Sequence, residues 1–319
     1  MEAQQQTLGS ILYTISNELH TLLENEVYRQ TQTEHQLMLQ AKMFSEWNKT
    51  RIPEILQNIH NAEFKVFSQF GDDGIIQFLA NYLDFKSKTF VEFGVEDYKE
   101  SNTRFLLQNN NWSGFVMDGT ADNVAHIATS ANFANHDLYV THAFVTAENI
   151  NELLLQKGFT GDIGIFHIDI DGNDYWIWKA ITVAKPIVMI VEFNSVFGYQ
   201  HPWVVPYKTD FFRRDAHYSW LYSGCSVAAL CHLAAEKGYS FIGCNSAGNN
   251  AYFVRNDKLK ELKPLTPQQG YVESRFRESR NEHGEMTFLS GTQRLALLNG
   301  LPIFNTVTEQ LETINISLQ

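Results

Sequence analysis

Seven carboxylates fall at or just beyond the ends of short apolar runs: Glu92, Asp97, Asp118, Asp169, Asp171, Asp174 and Glu192. The densest stretch reads His167-Ile-Asp169-Ile-Asp171-Gly-Asn173-Asp174-Tyr-Trp176. The alternation of a strand places His167, Asp169 and Asp171 on one face. Asp169, Asp171 and Asp174 repel one another unless a cation or a hydrogen-bond network compensates them. An EF-hand loop does not fit: counted from Asp169, the sixth position is Asp174 where glycine is needed, and the twelfth is Ala180 where glutamate is needed. A divalent ion between strand ends remains open, held by Asp171, Glu192 and Asn194, with Asp174 as an alternative to Asp171. These are hard oxygen donors, suited to Mg²⁺ or Ca²⁺ rather than zinc. The plainer reading is a hydrogen-bonded turn, with Gly172 and Asn173 shaping the backbone and Asp174 capping the next helix. His167 fits a satisfied strand histidine, whereas His201 and His217 follow the fifth apolar run, where an acceptor's general base would sit.

The first crossover, VEFGVEDYKESNTRF, lacks a glycine-rich turn. Gly94 is followed by bulky Val95 and by Glu96 and Asp97, which a pyrophosphate would meet unfavourably and a cation favourably. Asp118 lies 26 positions after Glu92, a suitable place to grip a ribose diol. Since S-adenosylmethionine (SAM) carries a sulfonium and an amino group and no phosphate, this pattern favours it over NAD.

The elements that must hold these groups alternate. Strands are expected at Thr89–Val95, Phe115–Gly119, Leu138–Phe144, Ile163–Asp169 and Ile187–Phe193, with helices near 102–110, 121–128, 147–157 and 174–181. Such alternation implies βαβ units and a parallel sheet, whose ligands bind at the strands' carboxyl ends. A helix at 226–237 and strands Tyr239–Cys244 and Ala251–Arg255, joined by an Asn/Gly-rich segment, predict an antiparallel hairpin. The segment 194–224 is rich in aromatic residues, carries Lys208, Arg213 and Arg214, and should roof the site. Its arginines suit phosphate or carboxylate, its rings a sugar or base.

Residues 1–70 hold one glycine, Gly9, and one proline, Pro53, and the first ~60 residues read as helix with few breaks. Leu8, Leu12, Ile15, Leu19 and Leu22 alternate spacings of four and three, a short coiled-coil seam for this protein's own body or for a second copy. The expected divisions are a helical extension at 1–63, an α/β domain at 64–256 and a C-terminal extension at 257–319. With 319 residues, 44% hydrophobic, the chain can bury a core and is not globally disordered. A net charge of −12 argues against phosphate-backbone binding as the main task, so no nucleic-acid partner is expected. No apolar run reaches the ~18 residues of a membrane helix, and the first residues lack signal-peptide features. Cys225, Cys231 and Cys244 form no CxxC pair, which fits a cytoplasmic, reducing setting.

The strings VEFGVEDYKESNTRFLL, NWSGFVMDG, FVTAENI, HIDIDGNDYWIWKAI and VMIVEFN resemble class I SAM-dependent methyltransferases. They are most similar to the FkbM-like branch and to bacterial relatives coded near surface-polysaccharide genes. The resemblance covers roughly residues 65–255 and implies a Rossmann-like fold with a SAM cofactor. It implies that Glu92, Gly94, Asn102, Asp118 and Gly119 hold SAM, with Thr146 and Ala147 near the adenine and Asp169 near the methionine moiety. It further implies that Asp171, Glu192 and Asn194 hold a divalent ion such as Mg²⁺. Catalysis would fall to Asp171, Glu192 and His201. The sequence departs from the family in its degenerate glycine motif and in Glu192-Phe-Asn194, which is not an adjacent acid–amide pair. The expected function is methyl transfer to a hydroxyl of a sugar or nucleotide-linked sugar. The alternatives are a non-catalytic SAM-fold or nucleotide-binding subunit and an NAD-dependent sugar oxidoreductase.

Overall fold

The structure, a computed structural model, describes residues 2–316, with side chains from Leu12 onward. Its strands are β1 (Thr89–Phe93), β2 (Ser113–Asp118), β3 (Leu138–His142), β4 (Gly161–Ile168), β5 (Ala184–Glu192), β6 (Trp203–Val204), β7 (Tyr239–Cys244), β8 (Asn250–Arg255), β9 (Pro302–Asn305) and β10 (Gln310–Thr313). The main sheet runs β3-β2-β1-β4-β5-β8-β7. Strands β1 to β5 are mutually parallel, while β8 is antiparallel to both β5 and β7. This is the expected Rossmann-like α/β sheet with an antiparallel C-terminal hairpin. The hairpin enters with its second strand against β5, which nothing local to the hairpin specifies. The strand order reverses at β1 and β4, the switch point where such sheets bind ligands.

Both faces of the sheet are buried, which is why β5 reads as an unbroken apolar run. One face packs Phe93, Phe115, Phe166 and Met189 against Ile177 and Trp178 of the helix Asp174–Ala180 and Leu230 of the helix Val227–Lys237. The other packs Phe90, Ile165, Ile190 and Tyr252 against Ile75 and Leu79 of the helix Asp72–Tyr82. That helix was not expected. Asp73 in its first turn accepts from the amides of Val66, Phe67 and Ser68 and so fastens the preceding loop. Burial pushes the Asp73 carboxyl up to about 6.

A second sheet, β10-β9-β6, joins the segment 194–224 to the C-terminal extension. Its own core includes Phe197, Trp203, Leu221, Leu298 and Ile303. The extension is therefore half of the module that crosses the sheet's edge. At the other terminus, Glu2–Thr50 is one helix, docked through Ala41 on Phe67 and Phe105. Leu8, named above in the apolar stripe, lies outside the residues whose side chains are described. Among the described residues, no helix is long and apolar enough to cross a membrane.

Candidate active site

Strand register decides which groups meet. Glu92 is level with His167, and Glu192 with Asn250, so each pair shares a face of the sheet. Asp169, two residues beyond His167, and Asp118, two beyond the Glu92 partner Val116, extend that face past the strand ends.

Glu92 is fully buried and fully used. It accepts from Ser101 Oγ (2.6 Å), the Asn102 amide (2.9 Å), the Thr103 amide and hydroxyl, and His167 Nδ1 (3.0 Å). A carboxylate offers about four acceptor positions, so none is left for a ligand. Glu92, expected at a cofactor, here fixes the Ser101-Asn102-Thr103 turn that starts the next helix. Asn102 is likewise buried, its Nδ2 lying 3.0 Å from His167 Nε2. Burial drives the Glu92 carboxyl up, but the bond to and charge of His167, with the two hydroxyls, hold it below its ordinary value. Burial likewise pulls the imidazole down, and Glu92 outweighs this, leaving His167 above its ordinary value.

The pair's contribution to stability is complete between the ordinary values of 4.5 for Glu92 and 6.5 for His167. It fades as pH falls through the lowered carboxyl value or rises through the raised imidazole value. Replacing His167 by leucine leaves a buried carboxylate without its cation and is expected to cost about 3 kcal/mol. Urea unfolding should show the largest deficit inside that window; a deficit independent of pH would mean that packing alone was lost.

Gly94 adopts φ +70°, and a Cβ on it would lie 1.7 Å from the Asp169 carbonyl oxygen. The loop after β1 therefore rests directly on the loop after β4. Glu96 and Tyr98 also have positive φ, 47° and 62°. This compact turn offers the Glu96 amide to Asp118 Oδ2 (2.9 Å), while Asp118 Oδ1 takes the Thr120 amide (2.8 Å) and Asn123 Nδ2 (3.0 Å). Backbone amides of this kind are where a phosphate would bind, and here the chain's own carboxylate occupies the place. About one acceptor position of Asp118 remains open, enough for one ribose hydroxyl rather than two. Gly119 is exposed, and its Cβ direction meets only Phe144, at 3.6 Å.

Asp169, Asp174 and Glu192 bring carboxylate oxygens within 4.8 Å of one another. The structure brings these three together rather than Asp171, Glu192 and Asn194. Asp174 also accepts from the amides of Ile170 and Gly172 (both 2.9 Å) and so holds the loop after β4. Burial pushes Asp169 up to about 6, the like charges of Asp171 and Glu92 adding to the effect against the pull of His167 and of the hydrogen bond to Glu192. Burial and Asp169 push Asp174 up to about 7. Burial and all three neighbouring aspartates push Glu192 well above the ordinary range, with Arg213 as an opposing influence. Asn250, level with Glu192, has its Oδ1 buried without a hydrogen-bond partner, and its Nδ2 is given to Asp72 (3.1 Å).

Four of the expected residues stand elsewhere. Asn194 is a cap: its Nδ2 donates to the Leu221 and Ser223 carbonyls (2.7 and 2.9 Å) and its Oδ1 accepts from Val196. Asp171, exposed and with φ +57°, pairs with Arg213 (3.2 Å). His201 is exposed and lies flat on Trp203, ring centroids 4.3 Å apart. His217 bonds Ser219 Oγ (2.7 Å).

The segment 194–224 crosses the carboxyl edge of the sheet. Its Tyr207 hydroxyl accepts from the Ala147 amide (3.1 Å) and donates to Glu148 (2.6 Å), and its Val205 and Lys208 carbonyls accept from Trp176 Nε1 and Asn173 Nδ2. Thr146, beside Ala147, is buried and accepts from the Asn149 amide through its hydroxyl. Phe144 and Phe212 lie 5.5 Å apart above this edge, both exposed.

The C-terminal extension adds cations that sequence reasoning missed. Arg213 donates to Asp171, Glu278 (3.3 Å) and the Trp220 carbonyl (2.6 Å). Arg280 shares Glu278 and covers one side of Trp220 at 3.7 Å, with Arg214 4.8 Å from the same ring. Arg294 is buried, donates to the Phe276 carbonyl, and keeps its Nε without a partner. Burial, with Arg213 nearby, lowers its pKa. Arg280 and Arg294 lie in a tail without periodic pattern, so only their charge could have drawn attention.

No protein-family model matches the chain, and neither does any curated protein. Among solved structures, the N-terminal domain of EvdMO1 with SAH bound aligns at 10% identity and a TM-score of 0.37, over 59% of this chain and 80% of that one. The O-methyltransferase from Bacillus cereus in complex with SAH aligns at 13% identity and 0.35, over 53% and 74%. Scores of this size carry no statement about substrate or chemistry, which rest on the chain's own residues.

Proposed function

We propose that the chain is a SAM-dependent O-methyltransferase acting on a hydroxyl of a sugar or nucleotide-linked sugar, with a divalent cation assisting. The observation that carries this reading is the row of carboxylates at the ends of β2, β4 and β5, beside a β1 turn whose Glu96 amide serves Asp118 instead of a phosphate. Such an edge suits a sulfonium and disfavours a dinucleotide's pyrophosphate. SAM, when bound, supplies an electrophilic methyl group. Asp118 would take one ribose hydroxyl, Phe144 and Phe212 with Gly119 and Thr146 would border the base, and Gly94 would set the distance between the two loops.

Asp169, Asp174 and Glu192 fit a divalent ion. All their donors are hard oxygens, they are close together, and burial together with the like charges of neighbouring acids raises their pKa values. Such an ion would act as a Lewis acid that eases deprotonation of the acceptor hydroxyl. Glu192 or Asp169 would receive that proton as oxygen takes the methyl group and sulfur keeps the bonding pair. Asp171 holds Arg213, and the Arg213–Arg280–Arg294 group suits an acceptor's phosphate or carboxylate. His201 remains a weaker candidate base, its ring already engaged with Trp203.

Radiolabelled methyl transfer from SAM to a panel of nucleotide-sugars, with and without EDTA, tests the reading. Turnover should fall with EDTA and return with Mg²⁺. Replacing Asp118 by alanine should weaken SAM binding about 10- to 100-fold by calorimetry, the cost of one charge-assisted hydrogen bond of about 1.5–3 kcal/mol. Unchanged affinity would move the cofactor away from β2. One observation favours a second reading, a non-catalytic SAM-fold or nucleotide-binding subunit: both Glu92 and the β1 turn are satisfied within the chain. SAM binding without transfer to any acceptor would support it.

A further inference from the structure

We infer that two copies of the chain pair through their long helices as an antiparallel coiled coil, with its two-fold axis near residue 31. The helix has two unlike sides. Glu34, Met38, Ala41, Ser45 and Asn48 face the body: Glu34 pairs with Arg104 (2.8 Å), Ser45 Oγ accepts from Asn81, and Asn48 donates to the Ala62 carbonyl. In the heptad that Leu12, Ile15, Leu19 and Leu22 define as a and d, these five occupy only b and f. The a and d seam therefore runs along the side turned away from the body for the whole length of the helix.

That seam is apolar in two stretches. Leu12, Ile15, Leu19 and Leu22, flanked by Leu23, form the first; Met43 and Trp47, flanked by Leu39 and Phe44, form the second, and each of the nine is 48–67% exposed. Between them the seam is polar, with Glu26, Arg29, Thr33, Gln36 and Gln40. Laid antiparallel about residue 31, Ile15 comes level with Trp47 of the second copy and Leu19 with Met43. This register also sets a positions against d positions, as an antiparallel coil requires. A parallel pair would oppose Glu26 to Glu26 and Arg29 to Arg29 within the seam, a like-charge cost. In the antiparallel pair Glu26 is level with Gln36 and Arg29 with Thr33.

Two further points support a second copy as the occupant. The nine side chains leave open roughly 900 Å² per copy, against about 800 Å² per partner in a standard interface. Every described residue from Leu12 to Thr33 is exposed, whereas most helical stability in proteins comes from packing an amphipathic face. The occupant is thus one that supplies the same helix and matches its own pattern.

Sedimentation of the full chain at micromolar concentration should give twice the 36.6 kDa mass. Ile15→Glu with Leu19→Glu, both on the exposed seam and far from the sheet, should sediment as a monomer with unchanged SAM affinity. Chains carrying Leu19→Cys mixed with chains carrying Met43→Cys should form a disulfide-linked dimer on mild oxidation, and neither should do so alone beyond the level of the unmodified chain. A monomeric wild-type chain overturns the inference. So does cross-linking of Leu19→Cys chains to one another, which indicates a parallel pair.

Discussion

Replacing Gly94 by alanine is expected to remove more than about 4 kcal/mol of stability, the exceptional end of single substitutions, and with it cofactor binding. Two costs coincide. The backbone at Gly94 has φ +70°, which an L side chain resists, and the added Cβ would lie 1.7 Å from the Asp169 carbonyl oxygen. No side chain can turn aside to relieve that contact, because the opposing atom is backbone. The loops after β1 and β4 must part, which breaks the Glu96 amide's bond to Asp118 and displaces the Asp169 carboxylate from its neighbours. Urea unfolding with calorimetric titration of SAM checks both consequences. Gly119→Ala is the control: the space there is open, with only Phe144 at 3.6 Å, and stability should change by less than about 1 kcal/mol. Equal effects of the two substitutions would show that the contact between the loops is not what the site depends on.

What could be read without coordinates was whatever is local and periodic. The strand runs of β1 to β5 and the β7–β8 hairpin follow from apolar patterning and turn residues, and their acid-ended finish points to the right edge of the sheet. The individual roles were harder to read, because they depend on partners far along the chain. Glu92 resembles a ligand-gripping acid until the Ser101-Asn102-Thr103 turn and His167, 75 residues on, close around it. Asn194 resembles a metal ligand until the carbonyls of Leu221 and Ser223 claim its amide. Asp72, buried among Asn245, Asn250 and Tyr252, is joined to them across more than 170 residues and gave no local signal. The tail beyond residue 256 was opaque for a related reason. Of its two short strands β9 pairs with the two-residue β6, and neither side has enough alternation to announce a sheet.

Substituting Asp169 by asparagine should lower methyl transfer at least about 100-fold, the usual contribution of a positioned acid–base group, while the protein becomes no less stable at pH 8. The two effects have one cause. In the metal-free protein Asp169 and Asp174 hold their protons up to about 6 and about 7, against an ordinary value of 3.8. A carboxyl whose folded value is raised binds more protons in the folded state than in the unfolded one. Stability therefore falls as pH rises from about 4 through about 7, as each proton is lost into a buried group of like charges. Asparagine at 169 removes one charge and so flattens this slope. A divalent ion should do the same in the wild-type protein: Mg²⁺ should raise the unfolding temperature at pH 8, where the carboxylates are ionised, and have little effect near pH 5, where protons already occupy them. In the Asp169→Asn protein that stabilisation by Mg²⁺ should shrink. If Mg²⁺ stabilises neither protein at pH 8 and transfer proceeds in EDTA, the three acids act through protons alone. Glu192, held above its ordinary range by burial and the three aspartates, is then the first group to test as the acceptor of that proton.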